Sequence, residues 1–79
     1  MRTYSYAKAV INGKRGGQLD VWGEHNVFHV FEYGDNVFTG SHGEVVRYIE
    51  RWKELYREIQ KAFEEAGVTT TLDFEQTIR

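Results

Sequence analysis

The chain has 79 residues with a formal net charge of −2, and neither feature singles out a class of partner. This length predicts a single domain, residues 1–79, and the charge lies far from the basic balance of a typical nucleic-acid-binding protein. The sequence contains no cysteine, which excludes a disulfide framework and a thiolate metal site and fits a cytoplasmic protein. No run approaches the ~20 consecutive apolar residues of a membrane-spanning helix, so we expect no membrane partner.

The first half of the chain predicts four short strands separated by turns rich in glycine and asparagine. Residues Thr3–Ile11 alternate small and large side chains, which indicates a strand, and Asn12-Gly13 is a strong hairpin-turn signal. Gly16 and Gly17 extend this turn into a predicted flexible loop. Hairpin-like connections between successive strands predict an antiparallel meander. The other predicted strands are residues 18–22, 27–33 and 37–39.

A long amphipathic helix is predicted after these strands. Ser41 and Glu44 have the S-x-x-E spacing of a capping box, and Gly67 stands where a helix-terminating glycine belongs. Between these ends, apolar residues recur at spacings of three and four, which predicts one buried stripe opposite a solvated, charged face. The stripe consists of Val45, Tyr48, Trp52, Leu55, Ile59, Ala62 and Ala66, widened along one edge by Ile49, Tyr56 and Phe63.

The β-branched run at residues 69–71 predicts a last strand over residues 68–74. The predicted fold is therefore α+β, an antiparallel meander in the order β-β-β-β-α-β with one long amphipathic helix on one sheet face. A helix of about 25 residues is ~37 Å long, whereas a sheet of four or five strands is only ~19–24 Å wide. We therefore expect the helix to overhang, with Ile59 and Phe63 held by the final strand or by a second subunit.

With only one helix available, one face of the sheet is predicted to stay uncovered. Strand alternation places Ala7 and Ala9 together, and such small residues suit close approach of the helix. The opposite face would display aromatic and mixed polar side chains, and an exposed patch of this kind is typical of an interface. In the alternative interpretation, a curled sheet buries the aromatic rings from both sides. The predicted partner-binding residues are Tyr4, Tyr6, Trp22, His29, Phe31 and Tyr33.

No pattern in the sequence indicates catalysis. His25 and His29 would lie ~13 Å apart along a strand, and no third ligand accompanies them, so no metal site is predicted. Ser41 is accounted for by helix capping, and the chain carries no nucleophile-elbow, phosphate-binding or dinucleotide-binding motif. We therefore predict no enzymatic activity, no catalytic residue and no cofactor.

The leading hypothesis is a small non-catalytic protein-binding module that binds its partner through the aromatic sheet face. Small domains of this kind are common among virus- and mobile-element-encoded inhibitors of host machinery, including anti-CRISPR proteins, although no motif here indicates that class. A homodimer through the same face is the closest variant. The alternative is a single-strand nucleic-acid-binding domain with the aromatic rings as a stacking platform. Lys14 and Arg15 are the candidate contacts to phosphate or to an acidic partner.

Overall fold

The computed structural model describes residues 2–79, which form a five-stranded antiparallel sheet with one helix packed on it. The elements in chain order are β1 (Thr3–Ile11), β2 (Lys14–Glu24), β3 (Val27–Glu32), β4 (Asp35–Gly40), α1 (His42–Glu65) and β5 (Leu72–Gln76). The strands lie in the order β4-β3-β2-β1-β5, so β1 to β4 form a meander and β5 pairs with the free edge of β1. This confirms the predicted α+β class and element order. No helix among residues 2–79 is both long and apolar enough to cross a membrane.

The first hairpin differs from the prediction at residues 14–17. Asn12 and Gly13 alone form the turn, and both have positive φ, 52° and 79°, as a two-residue type I′ turn requires. β2 begins directly afterwards at Lys14, so the predicted flexible loop is wrong and these residues belong to a strand. A shift in the β1–β2 register between Ala9 and Val10 marks a bulge, which accommodates the extra residue of β2.

The helix begins and ends where the sequence predicts. The Ser41 hydroxyl accepts from the Glu44 backbone N–H (3.3 Å), and the Glu44 carboxylate accepts from the Ser41 backbone N–H (3.0 Å). The bond from the Ser41 backbone is the main reason that the pKa of Glu44 lies below its usual value. At the other end Gly67 has φ 82°, and the Val68 N–H donates to the Phe63 carbonyl (2.8 Å), which completes a Schellman motif.

The buried side of α1 is rotated relative to the predicted stripe. Val45, Ile49 and Trp52 are buried, whereas Leu55 is 59% exposed and Ile59 is 47% exposed. Leu55 and Ile59, which belong to the predicted apolar stripe, are therefore not buried. The core that results comprises Ala7, Ala9, Leu19, Val21, Val30, Val45, Ile49, Trp52 and Ile78.

Small residues of the sheet determine where the large rings of α1 lie. Ala7 and Ala9 are fully buried, which confirms their predicted place under the helix. Gly17 lies beneath two rings: a Cβ there would be 3.6 Å from Trp52 Cζ2 and would collide with the Tyr56 hydroxyl. Because Gly17 has no side chain, the rings of Trp52 and Tyr56 can pack against the sheet at this point. The neighbouring face of α1, which carries Leu55, is left exposed.

The C-terminal segment closes the core by a route that the sequence did not predict. β5 begins at Leu72 rather than at residue 68, and the residues just before it are bonded to α1 and to the first hairpin turn. Gln60 Nε2 donates to the Thr70 carbonyl (3.0 Å), and the Asn12 side chain accepts from the Thr71 N–H (2.9 Å). After β5, Ile78 returns to the core.

The overhanging end of α1 meets the last strand in part. Ile59 and Phe63 border a narrow cleft whose other walls include Ile11 and Leu72. Phe63 nevertheless stays nearly half exposed. The last strand therefore supports this end of the helix without covering it.

Candidate functional site

The sheet face opposite α1, here called the open face, carries no other element of residues 2–79. Side chains of directly paired residues project from the same face of a sheet. The pairing therefore arranges the open face in rows across the strands. One row is Tyr4, Trp22, His29 and Thr39; the next is Tyr6, Asp20 and Phe31; a third is Glu75, Lys8 and Gln18.

The aromatic rings of the open face form a contiguous surface. Tyr4 packs on Trp22 with ring centroids 4.8 Å apart at an interplanar angle of 46°, and Tyr6 lies 6.4 Å from Tyr4. Tyr4 is 48% exposed and Trp22 is 40% exposed. Rings in such tilted contact stabilise one another's positions. The surface is thus both ordered and open to a partner.

Asp20 lies among these rings and is held by two neutral donors. The Tyr4 hydroxyl donates to Asp20 Oδ1 (2.7 Å), and Gln18 Nε2 donates to the same oxygen (2.9 Å). The hydrogen bond to Asp20 is the main reason that the pKa of Tyr4 is raised. Among residues 2–79, Asp20 forms no ion pair, so its charge is not neutralised by a cation within this part of the chain.

The His29 ring is oriented by a polar relay at the β3–β4 side of the open face. His29 Nδ1 lies 3.0 Å from Thr39 Oγ1, and the Thr39 hydroxyl donates to Asn36 Oδ1 (3.3 Å). The relay therefore fixes the ring beside Trp22, its neighbour across the sheet.

Two of the cations close to the open face, Lys8 and Arg2, are paired with carboxylates. Lys8 Nζ lies 3.0 Å from the Glu75 carboxylate and 5.8 Å from the centre of the Tyr6 ring. Arg2 Nε lies 3.8 Å from Glu24 Oε2, and the two side chains are 68% and 46% exposed. These pairs give the margin of the open face a mixed polar character.

Lys14 and Arg15, predicted to act together, project from different sides of the sheet. Arg15 pairs with Val10 and donates to the Gln18 side chain (3.4 Å), next to the open face. Lys14 pairs with Ile11, which lines the cleft beneath α1. Only Arg15 therefore adjoins the predicted binding residues.

Tyr33 lies in the β3–β4 turn rather than in a strand. Tyr33 and Gly34 form this turn, both with positive φ, and β4 begins directly afterwards at Asp35. The Tyr33 side chain is 81% exposed. Together with Arg15 and Gln18, it borders a depression of about 280 Å³. Tyr33 is thus at the margin of the open face, apart from the ring cluster.

A shallow depression of about 490 Å³ lies beside Trp22 on the open face. Trp22 and Phe31 supply its aromatic walls, and Asp20 and Glu24 supply two carboxylates. The full lining is Arg2, Asp20, Trp22, Gly23, Glu24, His29, Phe31 and Gly34. This depression is large enough for a single side chain of a partner.

The structure brings together five of the six predicted partner-binding residues and adds Asp20, which the sequence analysis did not single out. The alternation of β2, with Asp20 two residues from Trp22, is the signal that places it there. The binding role of these residues stays a prediction. No protein-family model matches the chain, no curated protein matches it, and no solved structure matches it.

Proposed function

We propose that this chain is a non-catalytic protein-binding module that binds a protein partner through the open face. One observation supports this most directly: Tyr4, Tyr6 and Trp22 form a contiguous cluster, with Tyr4 48% and Trp22 40% exposed, on a sheet face that no element of residues 2–79 covers. Tyrosine and tryptophan are enriched among the residues that contribute most to protein–protein affinity. The cluster would form the centre of the interface.

Pre-ordering of these side chains favours binding. Tyr4 is held by its bond to Asp20 and by the Trp22 ring, and His29 is held by Thr39. A side chain that is already fixed loses less conformational entropy when a partner covers it. The ion pairs at the margin resemble the polar rim that surrounds the centre of known interfaces.

Single-strand nucleic-acid binding is the competing function, and the charges of the open face count against it. Stacked bases need nearby cations for their phosphates. Lys8 is paired with Glu75, Arg2 is paired with Glu24, and the Asp20 carboxylate among the rings would repel phosphate. A protein partner fits this balance of charge better. Inhibition of host machinery by a virus- or mobile-element-encoded chain stays the predicted setting of such a module.

Partner capture with matched variants tests the proposal. The Tyr6→Ala, Phe31→Ala double variant removes two rings of the open face, whereas a Leu55→Ala, Phe63→Ala double variant removes exposed apolar side chains of α1. We expect the wild type and the α1 variant to retain the same protein, and the open-face variant to lose at least ~10-fold in affinity. Circular dichroism verifies that both variants are folded. Equal retention by the open-face variant would contradict the proposal.

Two further measurements distinguish this proposal from a homodimer and from a nucleic-acid-binding domain. Light scattering that shows a doubled mass, lost in the open-face variant, would identify a second copy of this chain as the partner. Binding of an oligonucleotide that quenches tryptophan fluorescence at low salt and weakens steeply as salt rises would identify the nucleic-acid function instead.

A further inference from the structure

The depression beside Trp22 has aromatic walls on neighbouring strands with a carboxylate between them. Asp20 and Phe31 are directly paired across β2 and β3, and so are Trp22 and His29. All four residues line the same space of about 490 Å³. Aromatic faces attract cations through the ring quadrupole, and an adjacent carboxylate adds a full charge to that attraction. The chemistry of the walls therefore selects a cation.

The charges of the lining leave this attraction unsatisfied within residues 2–79. Asp20 and Glu24 contribute two negative charges, and Arg2 contributes the one permanent positive charge of the lining. Arg2 Nε lies 3.8 Å from Glu24 Oε2, so of the two carboxylates in the lining, Asp20 is the one that forms no ion pair with residues 2–79. Both hydrogen bonds that Asp20 accepts use Oδ1, so neither occupies Oδ2.

We propose that this depression receives an arginine side chain of the protein partner, with Asp20 as the counter-ion and Trp22 and Phe31 as stacking walls; this inference rests on the proposed function. A guanidinium is planar, is weakly hydrated, and can stack on a ring while it donates to a carboxylate. A lysine ammonium is compact and strongly hydrated, so it gains less from the same walls. Arginine is therefore the occupant that the geometry fits best.

The contacts behind Asp20 prepare it for this role. Tyr4 and Gln18 hold the carboxylate from the β1 side and along β2, so it needs little reordering on binding. Neither donor carries a charge, so these two bonds bring no cation to the carboxylate. An acidic peptide or a phosphate would meet repulsion at the same place.

A peptide titration followed by nuclear magnetic resonance tests the inference without knowledge of the partner. The probes are the capped tripeptides Gly-Arg-Gly, Gly-Lys-Gly and Gly-Gln-Gly, added to the isotope-labelled chain. We expect Gly-Arg-Gly alone to shift the Trp22 indole N–H resonance, with saturation at a dissociation constant on the order of 1 mM or weaker for so small a ligand. Trp52 is an internal control, because its indole is on the helix-covered side and donates to Glu32.

Matched variants assign the effect to Asp20. Asp20→Asn should weaken Gly-Arg-Gly binding about 10-fold or more, since a charge-assisted hydrogen bond is lost. Asp73→Asn removes the same charge from β5, where Asp73 pairs with Val10 at a distance from the depression, and should leave binding unchanged. Three results would each overturn the inference: equal binding of Gly-Gln-Gly, equal binding of Gly-Lys-Gly, or an equal loss in Asp73→Asn.

The partner itself separates failure of this inference from failure of the proposed function. If the captured partner is lost with Tyr6→Ala, Phe31→Ala but binds Asp20→Asn as tightly as wild type, the open face is the interface and the arginine assignment is wrong. If neither variant weakens the partner, both proposals are wrong. A loss with both variants supports both.

Discussion

The hydrogen bond from Tyr4 to Asp20 disfavours ionisation of Tyr4. The bond to the Asp20 carboxylate holds the Tyr4 proton, and a phenolate there would also bring two negative charges together, so the pKa of Tyr4 is raised above its ordinary value of 10.0. A raised pKa in the folded state means that any stability from this contact is present below pH ~10 and is lost as the pH rises through the pKa of Tyr4. Solvent screening keeps the stability effect small at this exposed position.

Ultraviolet absorbance titration of the tyrosines tests this contact. The difference between the wild type and Tyr4→Phe isolates Tyr4, and we expect this component to ionise above pH 10.0. In an Asp20→Asn background the same component should move back toward the ordinary tyrosine value, because the carboxylate that disfavours the phenolate is gone. A Tyr4 component that is identical in both backgrounds would show that the contact does not form in solution.

At the scale of one element, α1 presents two adjacent apolar stripes, and only one of them packs on the sheet. Val45, Ile49 and Trp52 are buried, while Leu55 on the neighbouring flank borders an open recess beside Phe38. The two stripes overlap at Trp52. Large rings placed over Gly17 favour the observed rotation, because no Cβ occupies that part of β2.

Alanine substitutions on the two stripes distinguish them by stability. Ile49→Ala removes a fully buried side chain and should lower the free energy of unfolding by about 2–5 kcal/mol. Leu55→Ala, the matched control on the exposed flank, should change it by no more than about 0.5 kcal/mol. Urea denaturation midpoints at constant slope measure both. Equal losses in the two variants would contradict the observed rotation of α1.

At the scale of the whole molecule, the interior strands and the N-terminal half of α1 enclose the core. β1, β2 and β3 each have a neighbour on both sides, whereas β4 and β5 are the edges of the sheet. Buried residues come from these interior strands, from α1 up to Trp52, and from Ile78. The C-terminal part of α1 contributes partly exposed side chains. Stability should therefore be distributed unevenly along the chain.

Amide hydrogen exchange measures that distribution. We expect the slowest exchange in β1, β2 and the first half of α1, where opening requires disruption of the core. Amides of α1 after Tyr56 and amides of β4 should exchange at least ~10-fold faster, because they open by local fraying. One common rate for the slowest amides would also support the prediction that residues 1–79 form a single domain. Uniform protection along α1 would contradict the uneven distribution.

Several features of this protein were determined by the sequence alone because they depend on residues close together in the chain. Ser41, Glu44 and Gly67 cap the helix through bonds that span at most five residues, so their pattern predicted both ends of α1. Asn12-Gly13 predicted the first hairpin by its tolerance of positive φ. Strand alternation predicted that Tyr4, Tyr6 and Trp22 lie on one face. Because a single helix can cover only one of the two sheet faces, the sequence also predicted that this face stays open.

Other features were decided only by the tertiary structure, because they depend on contacts between distant parts of the chain. Gly16 and Gly17 have the composition of a loop, yet pairing with β1 and the rings of α1 hold them in β2. Helical periodicity permits two stripes, and the surface of the sheet selects the one with Ile49. The surroundings of Asp20 likewise depend on pairing across three strands, which puts a carboxylate with neutral donors among aromatic rings. Local pattern fixes where elements begin, end and alternate, whereas packing across the sheet decides which side chains are buried and which charges stay exposed.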